Sequence, residues 1–103
     1  MSALLDLDEV LATLPERGAW QVEKNRIVSE FRFKNFVEAF TFMTRLAFVA
    51  EKAGHHPDIF NSYSLVRVEL HSHDAGGITQ RDVDLAHAIS QVHSGADSAG
   101  GKN

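Results

Sequence analysis

The chain has 103 residues, of which 44% are hydrophobic and 23% are charged, and its formal net charge is -4. A chain of this length supports one hydrophobic core and is too short for two, so we expect a single domain. Acidic and basic residues are interleaved, which leaves no basic stripe to bind nucleic acid phosphates or an anionic membrane surface. The sequence has no cysteine, no secretory signal pattern and no apolar run long enough to span a bilayer, so we expect a cytoplasmic protein without disulfides.

The first predicted element is a short helix that begins after Asp6. Asp6 and Glu9 have the spacing of a capping box, in which each side chain bonds to the backbone amide of the other residue. Pro15 and Gly18 are expected to stop the helix. Its apolar side is predicted to consist of Val10, Leu11 and Leu14.

A β-hairpin is predicted next, because apolar and polar residues alternate from Ala19 to Phe33. Its turn is expected at Lys24 and Asn25. The apolar faces of its two strands are Trp20 and Val22 in the first strand, and Ile27, Phe31 and Phe33 in the second.

A long helix follows, with Asn35 as its cap and Glu38 at its third position. Gly54 and Pro57 are expected to end it, because glycine accepts a left-handed backbone and proline cannot extend the hydrogen-bond ladder. Apolar residues recur along this helix at three- and four-residue steps, which predicts one buried stripe. The stripe consists of Phe36, Ala39, Phe40, Met43, Leu46, Ala47 and Ala50.

Phe42 and Val49 lie off this stripe, so the helix has more apolar surface than one sheet face should need. Self-association would cover that surface, and so would packing of the first or the last helix. An open antiparallel sheet also leaves edge strands, which pairing between two copies would remove. We therefore expect a homodimer or a homotetramer.

The second half of the chain predicts another hairpin and a last helix. Strands are expected over 58–63 and 65–72, and Gly76 and Gly77 break the second strand. Thr79 is the predicted cap of the last helix. The apolar face of the second strand is Val66, Val68 and Leu70. The inner side of the helix is Leu85, Ala86, Ile89 and Val92.

The order helix, hairpin, helix, hairpin, helix predicts an α+β fold, a single four-stranded antiparallel sheet with three helices packed on one face. From residue 94 onward the chain is rich in Ser, Gly and Ala and buries too little apolar surface to order itself. We therefore expect a domain over residues 1–93 and a flexible tail over residues 94–103.

Histidines are the main candidates for chemistry, because the unperturbed pKa of imidazole, about 6.5, suits proton transfer near neutral pH. His55 and His56 are adjacent in a loop, and His71 and His73 share one face at the end of a strand. A cluster of these rings predicts acid–base catalysis. Two alternatives stay open: His55 and His56 form only a helix end with an exposed turn, or a His-x-His pair and a loop histidine bind zinc.

The last helix carries a candidate carboxylate, Asp82, that can orient an imidazole from its first turn. The spacing from Thr79 to Asp82 also matches a capping box in which Asp82 bonds back to the cap amide, and the two roles are compatible. His87 and His93 are six residues apart on this helix and therefore on different faces, so both are expected at the surface.

A set of motifs runs from the first hairpin to the last helix. These motifs are Trp20, Phe31-Arg32-Phe33-Lys34, Phe36, Ala39-Phe40, Phe42-Met43-Thr44-Arg45, Glu51-Lys52-Ala53-Gly54-His55-His56-Pro57-Asp58, Phe60-Asn61, Tyr63, Val66, Val68, Leu70, Ser72-His73, Gly77-Ile78-Thr79, Asp82 and Asp84-Leu85-Ala86. They closely resemble the pterin-4a-carbinolamine dehydratases over most of the chain. The resemblance implies a four-stranded antiparallel sheet with three helices on one side, in agreement with the element order.

The resemblance also implies an activity: dehydration of 4a-hydroxytetrahydrobiopterin to quinonoid dihydropterin, the recycling step after aromatic amino acid hydroxylation. It implies no cofactor. The three active-site histidines of the family fall on His55, His56 and His73, and its active-site aspartate falls on Asp82. His56 is then the main proton-transfer residue, while His55 and His73 hold the departing hydroxyl and can share the acid role.

Several residues that lie next to these groups in the sequence need a separate interpretation. His71 is not a signature position and is expected to be an exposed strand end. Ile59 stands where many relatives carry an aromatic residue, a departure that affects how the loop after Pro57 packs. The candidate substrate-binding residues are Pro57, Ser72, Asp74 and Glu51, of which Glu51 can bond to a cluster imidazole.

An alternative function comes from the same resemblance, because animal members of the family also act as dimerisation cofactors of a homeodomain transcription factor. The chain would then be a non-catalytic dimerisation or coactivator-binding module. The surface around Phe42 and Val49 would serve the partner. The expected partners are therefore a small-molecule pterin and, in the pathway, an aromatic amino acid hydroxylase, with no direct nucleic acid and no membrane.

Overall fold

The computed structural model describes the backbone of residues 3–101 and the side chains of residues 3–93. Seven elements follow in the predicted order of helix, hairpin, helix, hairpin and helix. They are α1 (Leu7–Thr13), β1 (Gln21–Glu23), β2 (Arg26–Arg32), α2 (Phe36–Ala53), β3 (Asp58–Ser62), β4 (Leu65–Leu70) and α3 (Gln80–Gly101). The side chains of the predicted tail, residues 94–103, lie outside the described residues, so the division at residue 93 stays a prediction.

The four strands form one antiparallel sheet in the order β1-β2-β4-β3, with Ile27 opposite Leu70 and Val68 opposite Ile59. The inward side chains of the two central strands are buried, and all three helices contribute to the same core cluster. The α+β prediction is therefore confirmed. The core residues from these strands are Ile27, Phe31, Val66, Val68 and Leu70.

The helix ends form as their sequence signals predict. The backbone amide of Asp6 bonds to Glu9 Oε1 at 3.0 Å, and that of Glu9 bonds to Asp6 Oδ1 at 2.8 Å, which completes the capping box. The amide of Glu38 donates to Asn35 Oδ1 at 2.9 Å at the start of α2. Gly54 ends α2 in the left-handed conformation, with φ at 66°.

The two strands of the second hairpin end earlier than predicted. Tyr63 takes a positive φ of 52° and starts the turn after β3. Ser72 leaves the sheet after β4 and pairs with Gly77, whose carbonyl accepts from the Ser72 amide at 2.7 Å. The short loop that this pairing closes carries His73 and lies directly before α3.

Self-association at the surface predicted for Phe42 and Val49 is wrong, and the alternative of packing by the last helix holds in part, because the ring centroid of His93 on α3 lies 5.8 Å from that of Phe42. Phe42 is 1% exposed, and its ring lies 4.8 Å from that of Phe31 and 5.1 Å from that of Phe33, measured between centroids. Val49 is partly buried against the same core. The helix therefore turns these two positions toward the sheet. The buried stripe of α2 is Ala39, Phe42, Leu46 and Ala50.

A different face of α2 is exposed. Leu11 of α1, which the sequence predicts on the buried side, is exposed as well. Phe40 is 57% exposed because it follows the buried Ala39, and consecutive residues on a helix point about 100° apart. Phe36 and Ala47 are also exposed, so their predicted place in the buried stripe is wrong. The exposed large apolar residues of α2 are Phe36, Val37, Phe40 and Phe48.

Within the part of the chain that the structure describes, no helix is both long and apolar enough to cross a membrane. The cytoplasmic location expected from the composition stays a prediction.

Candidate functional site

Three chain segments meet at one end of the sheet. The first is the end of α2 with the loop to β3, which carries His55 and His56. The second is the loop after β4, from His71 to Gly77, and the third is the first turn of α3. The helix end at Gly54 and the Ser72–Gly77 bridge fix where the first two segments turn. The link between these segments that the structure shows is the buried side chain of Asp82, which contacts His55 and Ser72.

Asp82 joins these segments. Its side chain is fully buried, and its Oδ2 accepts hydrogen bonds from the Thr79 amide and from the Ser72 hydroxyl, both at 2.9 Å. Its Oδ1 lies 2.5 Å from Nε2 of His55, whose side chain is 11% exposed. Asp82 therefore caps α3 and holds an imidazole at the same time, so the two predicted roles coexist.

This contact has a chemical consequence for His55. A carboxylate only accepts hydrogen bonds, so the ring nitrogen that faces Asp82 is the one that carries the proton. The other nitrogen, Nδ1, is then an acceptor in the neutral ring. The Ser72 hydroxyl, which also contacts Thr79 Oγ1 at 2.8 Å, extends the polar chain behind Asp82. The arrangement fixes the ring orientation and the tautomer of His55.

His56 lies on the open side of the site. Its side chain is 64% exposed, and its Nε2 lies 2.5 Å from Oε2 of Glu51 in the last turn of α2. Glu51 is thus in contact with a cluster imidazole. Pro57 is partly buried directly after this pair and precedes the first residue of β3. An exposed imidazole paired with a carboxylate is able to exchange protons with both a ligand and water.

His71 and His73 lie against each other at the end of β4. Nε2 of His71 is 3.2 Å from Nδ1 of His73, and the two rings cross at 67° with centroids 4.0 Å apart. His73 is exposed, whereas His71 is partly buried, so the expectation of an exposed strand end at His71 is wrong. Burial lowers the pKa of His71, and the positive charge of Arg26 lowers it further.

Asp74 follows His73 in the same loop and pairs with Arg81 of α3, whose Nη2 donates to Asp74 Oδ1 at 2.6 Å. This hydrogen bond holds the pKa of Asp74 below its ordinary value, because it favours the charged carboxylate. The pair ties the loop that carries His73 to the first turn of α3. The contacts of Asp74 with Arg81 and of Ser72 with Asp82 are thus two of the side-chain contacts that hold this loop against α3.

A sequence profile of the family described as pterin 4 alpha carbinolamine dehydratase matches residues 3–92 of this chain. The chain belongs to the pterin-4a-carbinolamine dehydratase family. A relative from Chloroflexus aurantiacus is 49% identical over 84 residues, covering 82% of this chain and 90% of the relative. A relative from Trichormus variabilis is 43% identical over 93 residues, covering 90% of this chain and all 100% of the relative. Both carry the name pterin-4-alpha-carbinolamine dehydratase on a provisional basis.

Two solved structures resemble the fold. A crystal structure of a transcriptional coactivator/pterin dehydratase from Brucella melitensis superposes with a TM-score of 0.77 and 36% identity, over 87% of this chain and 97% of that one. A pterin dehydratase-like protein described as a RuBisCO assembly factor of the α-carboxysome superposes with a TM-score of 0.60. Its identity of 19%, over 75% of this chain and 89% of that one, supports a common fold alone.

The two remaining histidines, His87 and His93, both lie on α3 and contact other parts of the fold. His87 is exposed, and its Nε2 lies 2.6 Å from the carbonyl oxygen of Thr13. His93 is half-buried, with its ring centroid 4.8 Å from that of Phe31 and 5.8 Å from that of Phe42. The prediction of two surface histidines therefore holds for His87 and is wrong for His93.

Some polar groups of the site were not found from the sequence. Arg81 was missed because an arginine in the first turn of a helix gives no signal of a partner in the preceding loop. The influence of Arg26 on His71 depends on strand neighbours that are far apart in sequence.

For the zinc alternative, no three His, Asp or Glu side chains among the described residues converge as a metal ligand set.

Proposed function

We propose that this chain is a 4a-hydroxytetrahydrobiopterin dehydratase that works by acid–base catalysis with His55, His56 and His73. The observation that carries the proposal is the contact of His55 with Asp82, whose other oxygen holds Ser72 beside His73. This contact links the loop before Pro57 to the end of β4, and these two segments supply all three histidines. Membership of the family supports the same chemistry.

The reaction is an elimination of water that needs one acid and one base. The C4a–O bond breaks, and an acid protonates the departing hydroxyl because hydroxide is a poor leaving group. A base removes the proton from the adjacent ring nitrogen, and the electron pair forms the double bond between that nitrogen and C4a. The products are quinonoid dihydropterin and water, so electrons and atoms balance without an oxidant or a reductant.

We assign His56 as the main proton-transfer residue, because it is exposed to the ligand side and paired with Glu51. Asp82 holds His55 with Nε2–H toward the carboxylate, so His55 faces the ligand with Nδ1. Nδ1 accepts a hydrogen bond from the departing hydroxyl when the ring is neutral and gives it a proton when the ring is protonated. His73 binds the same hydroxyl and shares the acid role. Each positioned acid or base contributes about 100- to 10,000-fold to such reactions. These roles require no metal and no cofactor.

Of the candidate substrate-binding residues, we propose that Pro57 and Asp74 contact the pterin, because both directly follow a histidine of the proposed site in the chain. Ser72 acts differently in this proposal, because its buried hydroxyl is committed to Thr79 and Asp82. We therefore assign Ser72 to positioning the carboxylate. Glu51 supports His56 from the end of α2.

The test follows the loss of the 4a-hydroxypterin absorbance over time. Wild-type protein is expected to accelerate the loss, and His56→Ala is expected to reduce kcat about 100-fold or more. His87→Ala is the matched control, because it removes an exposed imidazole of α3 that contacts only the Thr13 carbonyl among the bonds described. Wild-type protein that does no better than the uncatalysed reaction would overturn the proposal.

We also propose that the chain forms a homodimer or homotetramer through the exposed face of α2. The groove on this face has a volume of about 460 Å³ and is lined by Phe36, Val37, Phe40, Thr41, Thr44 and Arg45. Exposed apolar surface of this kind marks an association site. Strand β3, all of whose residues are exposed, offers a second pairing edge.

A second candidate function is a non-catalytic dimerisation or coactivator-binding module. It is favoured by the same α2 face and by the name of the Brucella melitensis relative, a transcriptional coactivator/pterin dehydratase. The kinetic test separates the two functions, because a binding module needs none of the histidines. In the proposed enzymatic function, the 4a-hydroxypterin substrate is produced by the aromatic amino acid hydroxylase that is the expected pathway partner.

A further inference from the structure

The residues before α1 pair with the residues before α3. Leu4 forms an isolated antiparallel bridge with Thr79. The backbone amide of Leu5 donates a hydrogen bond to the Ile78 carbonyl at 2.9 Å, and the Leu5 side chain is partly buried against the core. The start of the described chain is therefore bound to the segment that leads into the first turn of α3.

One peptide group connects this pairing to the candidate site. The peptide between Ile78 and Thr79 is planar and trans, so its C=O and its N–H point in opposite directions. Its carbonyl accepts from Leu5, and its N–H donates to Asp82 Oδ2, each at 2.9 Å. The other oxygen of Asp82 contacts Nε2 of His55. A continuous series of hydrogen bonds thus runs from Leu5 to His55.

This series is buried over most of its length. Thr79 and Asp82 are fully buried, and Ile78 is also buried. Hydrogen bonds away from water are stronger, and hydrogen bonds in a series polarise one another. The bond from Leu5 therefore makes the peptide N–H a better donor to the Asp82 carboxylate, and it also fixes the plane of the peptide.

We propose that the Leu5 amide is a positioning group for His55, acting through the Ile78–Thr79 peptide and the Asp82 carboxylate. This role rests on the proposed dehydratase function for its catalytic meaning. Because the peptide N–H holds Asp82 Oδ2, a fixed peptide plane also fixes the direction in which Oδ1 meets the His55 ring. The segment before α1 then supports the site, although it lies outside the sequence motifs, which begin at Trp20.

The alternative is that the pairing only anchors α1. That helix has other anchors, because Val10 is buried in the core and the capping box of Asp6 and Glu9 fixes its start. Loss of the single Leu5 bond should therefore leave α1 in place. The two roles differ in what they change: anchoring affects the free energy of unfolding alone, whereas positioning also affects the ring of His55.

The test replaces the Leu5 amide by an ester in the full-length protein, through the hydroxy acid analogue of leucine, which removes one N–H and retains the side chain. The matched control is the same ester at Leu7, the first residue of α1, whose amide has no acceptor within the helix. The control weakens the Asp6 carbonyl, which accepts from the Val10 amide, and so reports any effect of loosening α1.

The measurements are the ring ¹⁵N shifts of His55 from two-bond NMR spectra, followed by kcat and KM for dehydration. The Leu5 ester is expected to shift the Nε2 resonance of His55 and to lower kcat about 3- to 10-fold, which is the scale of one hydrogen bond, with KM little changed. The Leu7 ester is expected to leave the His55 resonance, kcat and KM as in the wild type.

A Leu5 ester that matches the Leu7 ester in the His55 resonance or in kcat overturns the proposal. Amide hydrogen exchange in the wild type is an independent check: the Leu5 amide should be protected, and exchange as fast as that of Leu7 overturns the proposal as well. Failure of the dehydratase function is seen separately, because it abolishes turnover in the wild type, whereas the resonance and the exchange rates are measured without substrate.

Discussion

Asp82 and His55 are bound to each other at 2.5 Å, although 27 residues separate them in the chain. The same carboxylate caps α3 through its second oxygen, so one buried side chain serves the fold and the site together. This relationship explains why the loop after α2 and the loop after β4 lie side by side. It also makes the two roles of Asp82 separable by mutation.

Asp82→Asn is expected to keep the cap and lose the activity. An amide oxygen still accepts from the Thr79 amide, but the side chain loses its charge and no longer offers two acceptor oxygens. We expect kcat to fall about 100-fold or more, while the free energy of unfolding falls by about 1 kcal/mol. Asp82→Ala should cost more, about 1–3 kcal/mol for each buried partner left without a bond. Kinetics and urea unfolding check this, and equal stability of the two variants would contradict it.

Arg81→Met is expected to raise the pKa of Asp74 toward that of an ordinary aspartate. The lowered pKa means that the ion pair stabilises the fold above about pH 4, the pKa of an unfolded aspartate, and that this contribution is lost as pH falls through the folded value. Carboxyl ¹³C NMR titration measures the change. Arg32→Met, which removes an exposed arginine at the end of β2, is the control and should leave Asp74 unaltered.

Gly54→Ala is expected to destabilise the protein by about 1–2 kcal/mol, because an alanine is strained at a φ of 66°. A Cβ at this position meets nothing within 4 Å, so backbone strain is the only cost. Gly54→Asn should cost less, since asparagine accepts the left-handed conformation more readily. The free energy of unfolding of both variants is measured in urea. Equal stability of alanine and wild type would show that the helix end does not require glycine.

Phe40→Glu is expected to dissociate the proposed oligomer, because it places a charge in the apolar groove of α2. Leu11→Glu is the matched control, since Leu11 is similarly exposed at 55% but lies on α1. Sedimentation velocity gives the masses. A monomeric wild type, or an unchanged mass for Phe40→Glu, would contradict the assignment of this face.

Much of the fold was predictable, because its signals are local. The Asp6–Glu9 box, the Asn35 cap and the glycine at residue 54 each act within a few residues of the chain. Alternation also placed Val66, Val68 and Leu70 in the core. In these stretches the local pattern and the tertiary packing favour the same structure.

The orientation of α2 was not predictable in the same way. Apolar residues occur almost all round this helix, so several stripes have similar spacing, and only packing against the sheet selects Phe42 over Phe40. The surroundings of His71 were also missed, because Arg26 and Asp58 reach it from neighbouring strands. Interactions between distant segments decide both cases.

The most direct test of the shared site is a double-mutant cycle on the dehydration rate with His55→Ala, His73→Ala and the combined variant. If the loop before Pro57 and the end of β4 build one site, each single variant should lose about 100-fold in kcat, and the double variant should lose far less than the product of the two. Losses that multiply would contradict the account, because they would show that the two imidazoles act independently.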